Sequence, residues 1–342
     1  MFNKIYDKVK IFILENIRFL ICLGALVLVF TYELPFAIYT PGGLVNLEKR
    51  IDVENSVDKD GSINMSYVSV RKGNIPSILL SFVIPDWDLK KEEEVTARDT
   101  SIDELLELEK IYMESSIDNA TILAYQKAGK DIRITKTNNY VNYISDFAKT
   151  DIKVQDIIIS ADEKVISSID DLKNIVANKE VGDKINIVVK RNDKEINCYA
   201  YVNDLNGEKK IGVGILTTYD YETDPKINIK TKSSESGSSG GLMLTLAIYN
   251  DLINEDLTKG RTIVGTGTIS LDGTVGEIDG VKYKMLGAKD ADIFLCPEEN
   301  YAEAVKVKEK YNLKFDLKSV KTIDEAIEYL LKWNILMNIL FF

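Results

Sequence analysis

The chain has 342 residues, a formal net charge of −11 and a pI of about 4.9. Such an acidic balance argues against nucleic acid as a partner, because phosphate binding needs a basic surface. It has no histidine, which excludes Ser-His-Asp and Cys-His catalysis and removes the commonest zinc ligand. Acid–base work near neutral pH therefore falls to a perturbed Lys, Asp, Glu, Tyr or Cys.

Hydrophobic residues make up 45% and charged residues 28% of the chain, which are ordinary values for globular protein. The length allows two or three domains beyond a membrane segment. Cys22, Cys198 and Cys296 include no CxxC pair and read as small buried apolar residues. No metal, cofactor or structural disulfide is expected.

Residues 1–10 read as a cytoplasmic N-terminus and 11–36 as an uncleaved transmembrane anchor. The run FLICLGALVLVFTY at 19–32 is extended backwards, with Arg18 snorkelling. Lys4, Lys8, Lys10 and Arg18 precede the run, whereas Lys49 and Arg50 are the first positive residues after it. The positive-inside rule then puts the remainder outside the cytoplasmic membrane. TYELPFAIYTPGG offers no A-x-A site to a signal peptidase.

Residues 37–130 read as an extracytoplasmic β and helical region. INMSYVSVRK and SILLSFVIP look like strands, and DLKKEEEVTARD like a solvated helix start. A helix is expected from Thr100/Ser101 with a stop at Gly129, and nothing in the region carries obvious chemistry. In residues 131–206, IRITKT, YVNYIS and IKVQDIIISADEKVIS read as strands. The helix SIDDLKNIVANKE and the hairpin VGDKINIVVKRNDKEINCYAYV follow. In residues 207–333, strands and helices alternate from IGVGILTTYDY to TIDEAIEYLLKW, where Thr322 and Glu325 suggest a capping box. The apolar tail 334–342 reads as a terminal strand, a membrane-surface contact or an oligomer contact. The fold class is multidomain α+β: an anchor helix, a β-rich unit and a C-terminal α/β unit.

Two segments carry candidate chemistry. SGSSGGLM at 236–243 runs small residues straight into the apolar helix LMLTLAIYN, leaving helix-start N–H groups free to face a ligand. GTGTISLDGTVGEIDGVKYK at 265–284 ends in Lys284. A serine hydroxyl needs a base, and lysine serves as one only when burial lowers its pKa. Tyr283 and Met285 give Lys284 apolar neighbours, while Lys282 lies about 200° round the same helix and faces elsewhere. Ser239 is the candidate nucleophile and Ser238 the second choice; backbone N–H groups around Ser238 and Gly240 suit an oxyanion.

Residues 152–194, IKVQDIIISADEKVISSIDDLKNIVANKEVGDKINIVVKRNDK, resemble the PDZ domains attached to bacterial proteases. Gln155 stands where that family has Gly before Asp156, and Asn138-Asn139-Tyr140-Val141 stands roughly where a Gly-rich loop would hold a peptide carboxylate. Peptide capture is then expected by strand addition to the sheet edge. GSSGGLM and TGTISLDGTVGEIDGVKYKMLGAKDADIFLCP resemble the nucleophile and lysine motifs of Lon-type serine proteases. Ser238 replaces the motif's proline, Gly240 its alanine, Thr268 its acidic residue and Asp279 a glycine. The order of segments is similar to the membrane-anchored PDZ–Lon proteases of Gram-positive bacteria. That resemblance implies Ser239 as nucleophile, Lys284 as general base and Thr266 as a hydroxyl beside the lysine. It implies a single-pass cell-membrane protein with an extracytoplasmic catalytic domain, acting on peptides and on unfolded or flexible proteins. No phosphate-binding loop G-x-x-x-x-G-K-[ST] is present, so ATP-independent cleavage is expected. The rival expectation is a non-catalytic, membrane-tethered peptide-binding module.

Overall fold

A computed structural model describes residues 2–95, 102–232 and 234–340, with side chains over 5–94, 105–232 and 234–332. The N-terminal apolar stretch forms two helices, α1 (Phe2–Glu15) and α2 (Ile17–Thr31), bent by 76° at Asn16. A single anchor helix over 11–36 is therefore corrected. Asn16 leaves helical geometry, and its side-chain amide donates to the Phe12 carbonyl at 2.8 Å. Among the described residues no single helix is long and apolar enough to cross a membrane; the bent pair passes only by length and composition. Leu34 already belongs to the next strand.

That strand is β1 (Leu34–Asn46). It is followed by β2 (Ile51–Val53), β3 (Ser62–Gly73), α3 (Ile75–Ser81), β4 (Asp88–Lys91), α4 (Glu92–Val95) and α5 (Ile102–Ala128). The expected strand SILLSFVIP is instead the body of helix α3 up to Ser81, followed by turns. The Asn74 side chain accepts from Ser77 N at 3.0 Å, Ser77 Oγ accepts from Asn74 N at 2.9 Å, and Pro76 sits in the first turn. A capping box and an early proline outweigh the apolar run. The expected start of α5 at Thr100/Ser101 lies outside the described residues; its stop at Gly129 is present, with φ 64°.

A second sheet follows. Its elements are β5 (Asp131–Ile144), β6 (Ile157–Ala161), β7 (Lys164–Val165), α6 (Ile169–Ala177), β8 (Lys184–Arg191), β9 (Lys194–Tyr201), the small hairpin β10 (Asn203–Leu205) with β11 (Glu208–Lys210), and β12 (Val213–Asp224). The strand order is β12-β5-β6-β8-β9, with β7 beside β6. IRITKT and YVNYIS merge into the one strand β5. IGVGILTTYDY, expected to open the C-terminal unit, is β12 and pairs with β5 from Val213↔Ile144 to Asp224↔Asp131. Val141, Ile158, Leu172, Ile185, Ile187 and Val189 fill this unit's own core. Gln155 has φ 73°, a conformation that glycine adopts without penalty.

The chain continues through β13 (Ile227–Ile229), α7 (Gly241–Leu252), β14 (Thr262–Gly265), β15 (Thr268–Ile269), β16 (Val275–Gly276), α8 (Val281–Leu286), β17 (Ile293–Pro297), α9 (Glu298–Tyr311), β18 (Asp316–Val320) and α10 (Ile323–Leu340). The main sheet has the order β18-β17-β14-β3-β1-β4. Strands β3, β14, β17 and β18 run parallel, whereas β1 is antiparallel to β3 and β4. Residues 37–130, read from sequence as a region of their own, thus share one sheet with the C-terminal unit. Helix α7 lies against this sheet and α5, with Leu242, Leu244, Leu246 and Ile248 in the core.

Helix α5 packs on α7 and touches the second sheet. Ser115 Oγ donates to Thr217 O at 2.7 Å and Asp118 Oδ2 accepts from Tyr219 N at 2.7 Å, both on β12. At the C-terminus Thr322 Oγ1 accepts from Glu325 N at 3.3 Å, but Glu325 accepts from Lys321 N, one residue earlier than a capping box requires. The helix α10 continues through Leu340; the tail's side chains lie outside the described residues.

Candidate active site

Ser238, Ser239 and Gly240 form the turn into α7, and Gly241 opens the helix. The helix start is tightly enclosed: a Cβ on Gly241 would stand 2.9 Å from Ile269 N and 2.9 Å from Ser116 Oγ. Only glycine allows that approach. Ser239 is half-buried and lines a cleft of about 370 Å³, with Gly240, Ser236, Met113, Met65 and Ser66 around it. Met65 and Ser66 lie on β3, in the region where sequence showed no chemistry.

Thr266 follows the end of β14 and is fully buried. Its hydroxyl donates to the Ser239 carbonyl at 3.0 Å, and Gly267 N donates to the same oxygen at 2.8 Å. Lys284 stands on α8 and is 4% exposed; its Nζ donates to Thr266 Oγ1 at 3.1 Å. Threonine has one proton to donate, so the order of donation is Lys284 to Thr266 to the Ser239 backbone. Among the described residues no hydrogen bond joins Lys284 Nζ to Ser239 Oγ. The N–H groups of Ser239 and Gly240 likewise have no acceptor among the described residues.

Burial brings the Lys284 amine down to about 8, against opposing fields from Asp279 and Glu109. Burial and Asp279 push the Glu109 carboxyl above the usual range, while Lys284 pulls it back. Lys282 turns the other way and donates to Asp88 at 2.7 Å.

Helix α5 supplies contacts that sequence reasoning missed. Ser116 Oγ donates to Ser238 O at 3.1 Å, and Gly237 N donates to the Glu109 carbonyl at 2.9 Å. No local signal could have found them, because Ser116 and Ser238 are 122 positions apart.

A second cleft of about 580 Å³ lies in the sheet unit that contains β5. Ile169, Leu172 and Val176 of α6 face Ile211, Val213 and Ile215 across it. Asn138–Val141 does not line it. That segment is the middle of β5, paired with β12, and Asn139 is buried and accepts from Thr217 Oγ1 at 3.1 Å. A paired strand interior of this kind has no free edge to offer a peptide.

Residues 227–333 match the family described as Lon protease (S16) C-terminal proteolytic domain, and residues 123–200 match the PDZ domain. The chain is 34% identical over 95 residues to Lon protease 1 of Sorangium cellulosum, covering 27% of this chain and 12% of that protein. It therefore spans about one-eighth of the length of this curated relative. Among solved structures, the PDZ domain of the SdrC-like protein of Listeria monocytogenes is 22% identical and covers 24% of this chain and 92% of that one, with a TM-score of 0.22. The corresponding Listeria innocua domain is 21% identical, covers 23% and 92%, and has a TM-score of 0.22. The chain carries a PDZ domain followed by a Lon-type proteolytic domain.

Proposed function

We propose that this chain is an ATP-independent serine endopeptidase in which Ser239 is the nucleophile and Lys284 the general base. The observation that carries the reading is a buried lysine, hydrogen-bonded through Thr266 to the Ser239 backbone, at the start of a helix in a Lon-type domain.

A neutral amine has two N–H donors and one lone pair. One N–H engages Thr266, which leaves the lone pair for the serine proton. Ser239 Oγ then attacks the scissile carbonyl carbon, and Lys284 takes the proton. The tetrahedral oxyanion is held by N–H groups around Ser238 and Gly240, each worth ~3 kcal/mol. The carbon–nitrogen bond breaks, and the lysine returns its proton to the leaving amine. Water, deprotonated by the same lysine, hydrolyses the acyl-enzyme and restores Ser239.

Substrates are peptides or unfolded and flexible proteins, because the 342 residues hold no phosphate-binding loop to drive unfolding. The PDZ domain selects among them through its apolar cleft. The bent pair α1–α2 anchors the chain in the cytoplasmic membrane, with the catalytic domain outside, as the asymmetry of positive residues supports.

The test follows cleavage of an unfolded protein by the full chain in mild detergent, without nucleotide. The rate should rise with pH through one ionisation at about 8, because the base works only when neutral. Ser239→Ala and Lys284→Ala should each lose on the order of 10³-fold or more. Wild-type cleavage by Ser239→Ala would overturn the assignment.

A further inference from the structure

The segment between β3 and β4 is a built hairpin that shows its apolar side outward. Its first limb is α3, fixed by the Asn74–Ser77 capping box. Ile78 points inward, with Cγ1 3.2 Å from where a Cβ on Gly73 would stand. Leu79, Leu80, Phe82 and Val83 face out and are 62%, 45%, 75% and 78% exposed. This exposure is not that of a frayed loop: Val83 N donates to Leu80 O at 3.0 Å and Ile84 N to the same oxygen at 2.8 Å.

Both roots of the hairpin are held. At one, Asn74 Nδ2 donates to Phe30 O of α2 at 2.7 Å. At the other, Asp88 accepts from Lys282 Nζ at 2.7 Å and from Tyr283 OH at 2.5 Å. Asp86 accepts from Tyr311 and pairs with Lys282 at 3.4 Å. The hairpin thus joins α2 to α8, the helix that carries Lys284.

Helix α2 has no buried residue, although it is apolar nearly all round. A helix of that kind is covered either by protein or by lipid. Whatever covers its last turn reaches the hairpin beside it. We propose that Leu79, Leu80, Phe82 and Val83 seat in the outer layer of the bilayer that α2 enters. This rests on the membrane reading above. Charges near the hairpin show no basic excess: Arg71, Lys72, Lys90, Lys91 and Lys282 stand against Glu33, Asp86, Asp88, Glu92, Glu93 and Glu94. The contact is therefore with acyl chains and needs no anionic headgroup. Seated there, the hairpin holds α8 at a fixed height above the membrane, which suits the cleft to polypeptide emerging from the bilayer.

The test uses the full chain reconstituted in phosphatidylcholine liposomes. A dye is placed at Phe82→Cys in a Cys22→Ser background, where Cys198 and Cys296 are buried. Native Cys22, exposed on α2, reports the anchor, and Val165→Cys on β7, 72% exposed, reports water. Compared with Val165→Cys, the label at 82 should lose several-fold in iodide quenching and gain quenching by brominated lipid, unchanged by high salt. If Cys22 is lipid-quenched and position 82 is quenched by iodide as fully as Val165→Cys, the hairpin proposal fails and the anchor stands. If position 82 is lipid-quenched and Cys22 is not, the hairpin meets lipid without α2, and the anchor reading on which the proposal rests is overturned. Protection of position 82 in lipid-free detergent, with crosslinking between two such cysteines, would assign the surface to a second copy and overturn the bilayer.

Discussion

Helices α2 and α7 are both strongly apolar, yet they end in opposite surroundings. Ten of the twelve residues of α7 are buried, and none of the fifteen in α2. The difference shows that an apolar segment specifies its need for cover but not the covering material. What sets α7 apart is Asn250, a buried amide whose partner lies beyond the helix. Thr245 Oγ1 donates to Gly241 O at 2.9 Å, and Asn250 Oδ1 accepts from Leu257 N at 2.8 Å, both in the buried core. Helix α2 has only Arg18 in its first turn and Thr31, which bonds back to Val27 O in its last.

The sharpest way to break that contrast is to remove the same atoms from each helix. Leu246 is fully buried, so Leu246→Ala should cost ~2–5 kcal/mol, through lost transfer energy and a cavity beside the sheet. Leu26 is 55% exposed, and Leu26→Ala should leave the folded domains within about 0.5 kcal/mol. Denaturant unfolding of the full chain in detergent, followed by circular dichroism, reads both. A multi-kilocalorie loss at Leu26 would show that protein covers α2.

A second prediction asks what cover does to a charge. Lys284 has its amine lowered from 10.5 to about 8. Between those values the unfolded chain binds more protons than the folded one, so stability rises with pH through this window. Below about 8 the cost of burying the charged amine is fully present. Lys284→Met keeps the volume and removes the charge, so it should stabilise the protein by roughly 1–3 kcal/mol near neutral pH. That gain should shrink as pH rises above 8 towards 10.5. A pH-independent difference would contradict the burial of the amine.

The third prediction concerns a carboxylate and has the opposite sign. Asp118 on α5 is pushed from 3.8 to about 7, first by burial and then by Glu114 and Asp220, against the Tyr219 N–H that favours its charge. The folded state therefore holds a proton that the unfolded state has lost, and stability falls as pH rises from 3.8 to about 7. Asp118→Asn keeps an acceptor for Tyr219 N. It should be nearly neutral in acid and stabilising by ~1–2 kcal/mol above neutrality, flattening the pH dependence of unfolding. If the wild-type and Asp118→Asn curves run parallel across this window, Asp118 is already ionised in the fold.

The sequence disclosed those parts of the molecule whose signal is local. GSSGGLM and the spacing to Lys284 lie in short segments with a family resemblance, and the structure brings Ser239, Thr266 and Lys284 into one hydrogen-bonded chain. Alternating apolar residues marked β3, β8 and β9. What could not be read was non-local. Strand β3 pairs with β14, Thr262 opposite Ser62, which puts Met65 and Ser66 at the cleft. Strand β12 reads as well at the start of one unit as at the end of another; its partner β5 decides. At Asn74 two local signals compete, and a side-chain cap that sets helix or strand within one turn overrides the apolar run. Glu109 reads as one more acidic residue on a solvated helix until the 236–240 turn folds over it.

The smallest prediction lies where one partner of an ion pair stays open to water. Lys127, at the end of α5, pairs with Asp324, at the start of α10, at 2.5 Å. The aspartate side chain is 75% exposed. Water and salt screen such a pair, and fixing a long lysine side chain offsets much of the attraction. Asp324→Asn should therefore change stability by less than about 0.5 kcal/mol, and high salt should erase even that difference. Distance alone would give a different ranking, because Arg191 and Asp156 are no closer, at 2.6 Å. There the aspartate side chain is 1% exposed and also accepts from Lys153 N at 2.7 Å. Burial, not separation, decides what each pair is worth, and a large loss at Asp324 would mean that another surface covers the α5–α10 junction.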